Sequence, residues 1–331
     1  MVRVTMATGL APALPPSPAS CIGFAMPRSD NLTGALLMMG SMAAFTFNDA
    51  MIKSLSGQVP LFQVMFLRGV LTTVMVAVIA WRMGSLHRRL PRADRWPVVW
   101  RMVGEIGSAY FFVTALFHMP IANISAIMQA LPLTITLAAA LFFREPVGWK
   151  RMSAIIAGFI GVMLIVRPGT EGFTIYSVYG LAAVAMVTLR DLATRRLSRD
   201  VPSMQVTLIT SVFITVFFGL ATLTGEWAPV DGRAVLLIGG AAVMIIGGYL
   251  FSIMVMRVGE ISFVAPFRYT SLVWALILGW AVFGDWPQAI TLVGAGIVVA
   301  SGIFTLYREA RISRRARAAR QKELSLGPRP R

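Results

Sequence analysis

Apolar residues run along this chain in long unbroken blocks, separated by short stretches rich in Gly, Pro and Arg. From Leu32 onward ten such blocks follow, at about 32–53, 61–82, 97–117, 121–142, 152–167, 175–196, 203–224, 234–256, 261–283 and 289–307. Each is near the length of about 20 residues with which a helix crosses a hydrocarbon core about 30 Å thick. The blocks are continuously apolar and do not alternate residue by residue, so the pattern predicts helices rather than the strands of a barrel. The expected fold is an all-α membrane protein of ten transmembrane helices.

The polar residues that interrupt the blocks repeat. Phe47 to Ser56 reads FNDAMIKSLS, and Leu189 to Ser198 reads LRDLATRRLS. Asp49 matches Asp191, Lys53 matches Arg195 and Leu55-Ser56 matches Leu197-Ser198, all at an offset of 142. Pro60 with Pro202 and Gln63-Val64 with Gln205-Val206 keep that offset. Further on, Tyr110 with Tyr249, Phe112 with Phe251, Phe143 with Phe283 and Glu145 with Asp285 follow at 139 to 140. The chain therefore divides into a tail at 1–31, a first five-helix repeat at 32–168, a second at 173–307 and a basic tail at 308–331. Five is an odd number, so the second copy enters the membrane from the opposite side. The repeats are then related by a pseudo-two-fold axis in the membrane plane, as in many secondary transporters. Asp49 falls toward the outer end of the first helix and Asp191 toward the inner end of the sixth.

Composition agrees with this pattern. Of 331 residues, 57% are hydrophobic and 13% charged, and the mean hydropathy is +0.74. A soluble domain carries roughly 25% charged residues. The net charge of +16 would suit nucleic acid, but its distribution does not. With the N-terminus inside, the inner segments hold 24 Lys and Arg, and the outer ones hold three: Lys53, Arg167 and Arg233. That asymmetry places both termini in the cytoplasm of a bacterial-type inner membrane and excludes nucleic acid as the partner. The tail YREARISRRARAARQKELSLGPRPR sets orientation and meets anionic lipid headgroups. Cys21 is the single cysteine, and His87 and His118 lie in different loops, so neither a disulfide nor a metal centre is expected. The first 25 residues lack the order of a signal peptide and read as a disordered tail, and a start at Met26 is an alternative.

AIMQALPLTITLAAALFFREPVGWKRMSAIIAGFIGVMLIVRP closes the first repeat, and APFRYTSLVWALILGWAVFGDWPQAITLVGAGIVVASGIFTLYRE closes the second. Each has a helix with a mid-span Pro or aromatic, an acid at its end and then a Gly-punctuated helix. In this order the chain resembles the EamA type of the drug/metabolite transporter superfamily over about residues 32–307. The resemblance implies a central cavity lined by helices 1, 3, 4, 6, 8 and 9, with helix 2 at the periphery. It departs at Pro132, whose aligned residue is Leu272, with Pro266 earlier in the same helix.

Charges within the spans need a partner or a wet cavity, since one at the bilayer centre costs about 2.5–3.5 kcal/mol even on the gentlest scale. They are Asp49, Arg68, Glu105, Asp191 with Arg190, and Arg268. Glu105, flanked by Gly104 and Gly107, reads either as a substrate or proton site or as an ion-pair partner of Arg68 or Arg268. Arg268, on a helix the resemblance makes a lining one, would hold a carboxylate or phosphate, or snorkel to the inner face. Arg68 reads as a structural pairing residue. Asp49 with Lys53, and Asp191 with Arg195, read as gating or structural ion pairs at i,i+4 spacing. Asn48, Tyr110, Gln129, Tyr249 and Trp274 are the neutral candidates for the solute path. VGAGIV follows no strand and is not a nucleotide loop, and no P-loop occurs.

The function expected is a secondary carrier working by alternating access. Its solute is a small metabolite, amino-acid-like, vitamin or amphipathic amine, with protons as a further candidate ligand. No cofactor is implied, membrane lipids are the surrounding partner, and a homodimer is allowed. The alternative is an intramembrane enzyme or a non-transporting receptor. An enzyme would need a convergent catalytic set, and none is apparent in the sequence.

Overall fold

The computed structural model describes residues 28–82, 91–144, 148–169, 173–198, 203–258 and 261–325. These fold into helices α1 (Arg28–Lys53), α2 (Leu61–Arg82), α3 (Arg95–His118), α4 (Ile121–Met128), α5 (Leu131–Phe143) and α6 (Trp149–Val166) in the first half. The second half holds α7 (Ile175–Arg195), α8 (Ser203–Ala221), α9 (Gly232–Val258), α10 (Ile261–Val264), α11 (Thr270–Phe283) and α12 (Ala289–Ser325). No strand occurs among the described residues. Among the described residues, nine of the spans are long and apolar enough to cross a membrane. The tenth expected span is α3, which at 24 residues is long enough but carries Arg101 and Glu105 in its first half, and these lower its apolarity. The span that falls short by composition is the one that holds Glu105.

Two spans are broken, each at a proline. Pro132 has no N–H to donate, and its ring would clash with a carbonyl one turn back. The fourth span accordingly splits into α4 and α5 around Gln129 and Ala130. In the ninth span Pro266 starts a 3-10 stretch, Ala265–Tyr269, between α10 and α11. The two repeats thus share an interrupted helix and place the interruption differently.

The helices pair across the repeats. α1 lies along α9, α3 along α7, α6 along α12 and α2 along α8. Counterparts pair consistently: α7 is the copy of α1, and its partner α3 is the copy of α9. Every pair is antiparallel. Ser41 Oγ donates to Gly248 O at 2.8 Å, while further along α1 a Cβ on Gly240 would meet Met51 Sδ at 3.0 Å. On α3 and α7, Arg101 meets Thr194 and His118 stacks on Tyr176 at 4.0 Å. Thr73 and Thr215, one repeat offset of 142 apart, touch through their hydroxyls at 2.9 Å. The pseudo-two-fold axis passes between them. Two inverted five-helix repeats are the architecture observed.

Small residues permit these approaches. A Cβ on Gly161 would stand 2.7 Å from Gly294 O, and one on Gly294 would stand 2.6 Å from Gly161 O. In lipid, where apolar surface gains nothing by leaving water, such backbone-to-backbone packing is what holds helices together.

The two ends differ from expectation. Most of the stretch expected as a disordered N-terminal tail lies outside the described residues, and α1 already begins at Arg28. At the other end α12 continues as helix to Ser325, well past the expected limit of 307. From Tyr307 to Leu326 the sequence has no Gly or Pro and is rich in Ala, Arg, Glu and Leu, all strong helix formers.

Gly161→Val places branched carbons against the Gly294 carbonyl. It should destabilise the protein by about 1–3 kcal/mol, read as a lowered Tm in detergent. An unchanged Tm would contradict the α6–α12 packing.

Candidate functional site

Gly104 sets the site. A Cβ there would lie 2.8 Å from both Arg190 N and Met186 O, so only glycine lets α3 press its backbone onto α7 at this level. That approach puts Glu105, the next residue, beside the second repeat. Arg190 Nη1 reaches Glu105 Oε1 at 3.5 Å, and Arg190 Nε donates to Asp191 Oδ1 at 2.8 Å. Arg101, one turn before Glu105, brings Nη2 to 3.9 Å from Glu105 Oε2 and donates from Nη1 to Thr194 Oγ1 at 2.5 Å. Glu105 Oε2 is buried and accepts no hydrogen bond among the described residues.

A cavity of about 130 Å³ opens beside this cluster. α2 contributes Met65, Arg68 and Thr72, α3 contributes Arg101 and Glu105, α8 contributes Thr207, Thr210 and Ser211, and α9 contributes Ile245 and Tyr249. A second recess of about 330 Å³ shares Arg101, Glu105 and Tyr249 with it and adds Arg190, Asp191, Thr194 and Arg195. Together the walls carry four guanidinium groups (Arg68, Arg101, Arg190, Arg195) and two carboxylates (Glu105, Asp191). In surroundings of low dielectric this positive surplus favours an anionic group of a ligand, and the unbonded oxygen of Glu105 favours a donor or cation.

Arg68 is held from behind. Its Nη1 donates to Asn48 Oδ1 at 3.1 Å and its Nη2 approaches Met65 Sδ at 3.5 Å. Asn48, buried in α1, donates in turn from Nδ2 to Asp49 Oδ1 at 2.9 Å. The two halves therefore treat their matching acids alike. Asp191 takes a bond from the residue before it, Arg190, and Asp49 takes one from the residue before it, Asn48, which then orients Arg68.

The recesses lie toward the Arg101 end of the bundle. The opposite end is held together by several ties. Lys53 Nζ donates to the carbonyls of Leu116 and Met119 at 3.0 and 2.7 Å, capping the C-terminus of α3. Ser56 Oγ donates to Phe117 O at 3.1 Å. Gln63 makes a two-way bond with the Ala228 backbone at 2.7 and 2.9 Å, and Arg167 binds Gln288 and Thr291. Among the described residues at the Arg101 end, the carboxylate of buried Asp94 accepts the Ser198 backbone N–H and hydroxyl at 2.8–2.9 Å.

Of the residues expected at the site, the structure gathers Glu105, Arg68, Tyr249, Asp191 and Arg195 around the two recesses. Four candidates for substrate contact stand elsewhere. Arg268 belongs to the 3-10 stretch started by Pro266, which packs on α1 and α12 rather than on α3. Tyr110 is held in an aromatic cluster with Phe62, Phe111 and Tyr179. Gln129 is buried at the α4–α5 break and donates to Ser271 Oγ at 2.7 Å. Trp274 leans on Phe47. Of the expected i,i+4 pairs, Asp49 is bonded to Asn48 while Lys53 caps α3, and Asp191, bonded to Arg190, shares its recess with Arg195. A neighbouring side chain and a helix end reach Asp49 and Lys53 more directly than the i+4 residue does.

Helix α2 is a wall of the cavity and not a peripheral element, because its small-residue contact with α8 at Gly69 and Thr73 leaves Arg68 facing inward. Arg101 and Asp94 had escaped sequence reasoning, while Asn48, expected along the solute path, stands behind the cavity and orients Arg68. Arg101 had a signal, standing one turn from Glu105. So did Thr207, Thr210 and Ser211, a polar stripe at i, i+3, i+4 on an otherwise apolar helix.

A bundle of inverted repeats with a charged cavity between them, closed at one end, defines a membrane carrier. The family model for the EamA-like transporter family matches residues 32–167 and 174–307, and the chain belongs to that family. It is 28% identical over 290 residues to a riboflavin transporter of Vibrio cholerae serotype O1, covering 86% of this chain and 97% of that one. It is 25% identical over 284 residues to an S-adenosylmethionine uptake transporter of Rickettsia felis, covering 84% and 94%. With the pseudopaline exporter CntI of Pseudomonas aeruginosa it shares 24% over 281 residues, covering 81% and 94%. A solved crystal structure superposes with a TM-score of 0.57 at 20% identity, covering 82% of this chain and 96% of its own, and shows the same fold.

Glu105→Gln and Arg190→Gln should each lower stability by about 1–3 kcal/mol, with the double variant less affected than the sum. A thermal-denaturation double-mutant cycle reads this coupling, and additive losses would show that the two groups do not act as a pair.

Proposed function

We propose that this EamA-family transporter carries a small zwitterionic metabolite by alternating access. Its ammonium or equivalent donor meets Glu105, and its carboxylate or phosphate meets the guanidinium of Arg68. One observation carries this reading: the buried, unbonded Oε2 of Glu105 shares a cavity with Arg68. A neutral or purely cationic solute would leave the positive surplus of that cavity uncompensated. The relatives are named for three different small solutes, riboflavin, S-adenosylmethionine and pseudopaline, which supports a small metabolite as the class.

The asymmetry of Lys and Arg supports an inner membrane with both termini cytoplasmic, so the recesses described above face the cytoplasm. Inversion supplies the other state, in which the ties at the Lys53 end release and those near Asp94 and Arg101 tighten. A transport role, not catalysis, accounts for the residues gathered here.

In proteoliposomes preloaded with an unlabelled zwitterionic metabolite, the wild type should accelerate uptake of the labelled compound, and Glu105→Gln should reduce this counterflow at least about tenfold, the worth of a lost charge-assisted hydrogen bond. Membrane insertion should be unaltered. Full activity in Glu105→Gln would remove the carboxylate from the solute site. Reporter fusions after Arg89 and after Arg320 should both report cytoplasm, and disagreement between them would contradict the orientation.

A further inference from the structure

A third recess, about 360 Å³, lies outside the bundle, between the ends of α3, α5 and α7. Its walls are Trp96 and Trp100 of α3, Phe142 and Phe143 of α5 and Leu192 of α7, with Arg196 at the rim. Trp96 is 71% exposed, Phe142 69% and Trp100 52%, so the recess opens sideways from the bundle. α3 begins, and α5 and α7 end, at this level, so it stands at one boundary of the membrane rather than at its middle. Two tryptophans at such a boundary match the interface, where their rings lie between acyl chains and headgroups.

The Arg196 guanidinium lies over the Phe143 ring, 5.3 Å from its centroid. Among the described residues it makes no ion pair and no side-chain hydrogen bond; its contact is this ring. A side chain so placed offers its planar donors outward, at headgroup height, above an apolar trough. That is the arrangement which takes a phosphate on a hydrocarbon chain. Charge agrees with it. Arg92, Arg95 and Arg144 border the same helix ends, and Asp94, the nearby acid, is buried and bonded to Ser198.

We propose that this recess binds an anionic phospholipid, with its phosphate on Arg196 and an acyl chain against Trp96, Trp100 and Phe142. The site is separate from the solute cavity but shares its scaffold. Trp100 adjoins Arg101, and Arg196 follows the Asp191–Arg195 turn, so a bound lipid braces the α3–α7 pair that carries Glu105 and Arg190.

The test is native mass spectrometry of the full chain with phosphatidylglycerol and phosphatidylcholine of matched acyl chains. The wild type should retain phosphatidylglycerol about fivefold more strongly, the preference that one headgroup-level cation supplies. Arg196→Gln should lose that preference and Arg196→Lys should keep most of it, while Trp100→Ala should weaken retention of both lipids alike. Equal retention of the two lipids by the wild type, or an intact preference in Arg196→Gln, would overturn the proposal. So would displacement of the lipid by inorganic phosphate, which would identify a free-anion site. A loss of thermal stability in Arg196→Gln that is equal in both lipids would instead assign Arg196 a purely structural role and overturn it as well.

Discussion

Each long helix of this protein finds its principal partner in the other half of the chain, running the opposite way. The rest of the structure depends on that constraint. In lipid there is no gain in hiding apolar side chains from a solvent that is itself apolar, so helices associate through close van der Waals contact and hydrogen bonds. Gly161 against Gly294, Thr73 against Thr215 and Gly104 against Arg190 supply those contacts. None of them lies within a repeat. A half-chain alone would leave these surfaces unsatisfied, and the cavity exists only where the two halves meet.

The same pairing resolves the cost of intramembrane charge. Glu105 comes from the first half and Arg190 from the second, so the interaction that neutralises one also joins the halves. The matching position of the first half holds Asn48 instead of an arginine, and a guanidinium is recruited from α2 through it. A shared plan with unequal residues gives a cavity that is symmetric in outline and directional in charge. Ties that cross between the halves stand at both ends, Gln63 with Ala228 at one and Asp94 with Ser198 at the other.

Much of the fold was legible in the sequence. Block lengths gave the helices, the odd number of blocks in each repeat gave the inversion, and the offset of 142 that joins Asp49 to Asp191 also joins Thr73 to Thr215. The site was legible in part. Glu105 and Tyr249 could be picked out as polar groups in apolar surroundings, but Arg268, Tyr110, Gln129 and Trp274 were equally conspicuous by that criterion, and the structure places them in other environments. Facing direction decides between such residues, and it depends on the winding of one broken helix and on a glycine contact that no periodicity reports. Asp94 shows the converse. It stands among loop cations, where an acid suggests solvent, yet it is buried under Ser198 by the closure of α3 on α7.

Pulsed electron–electron distance measurement on two spin-label pairs tests the exchange of the two ends most directly. One pair, Arg95 with Met254, spans the open end, and the other, Gln58 with Glu226, spans the closed one. On adding a transported solute, the first distance should shorten while the second lengthens. Distances that change together, or a closed end that stays fixed during transport, would contradict an alternating mechanism built on inverted repeats.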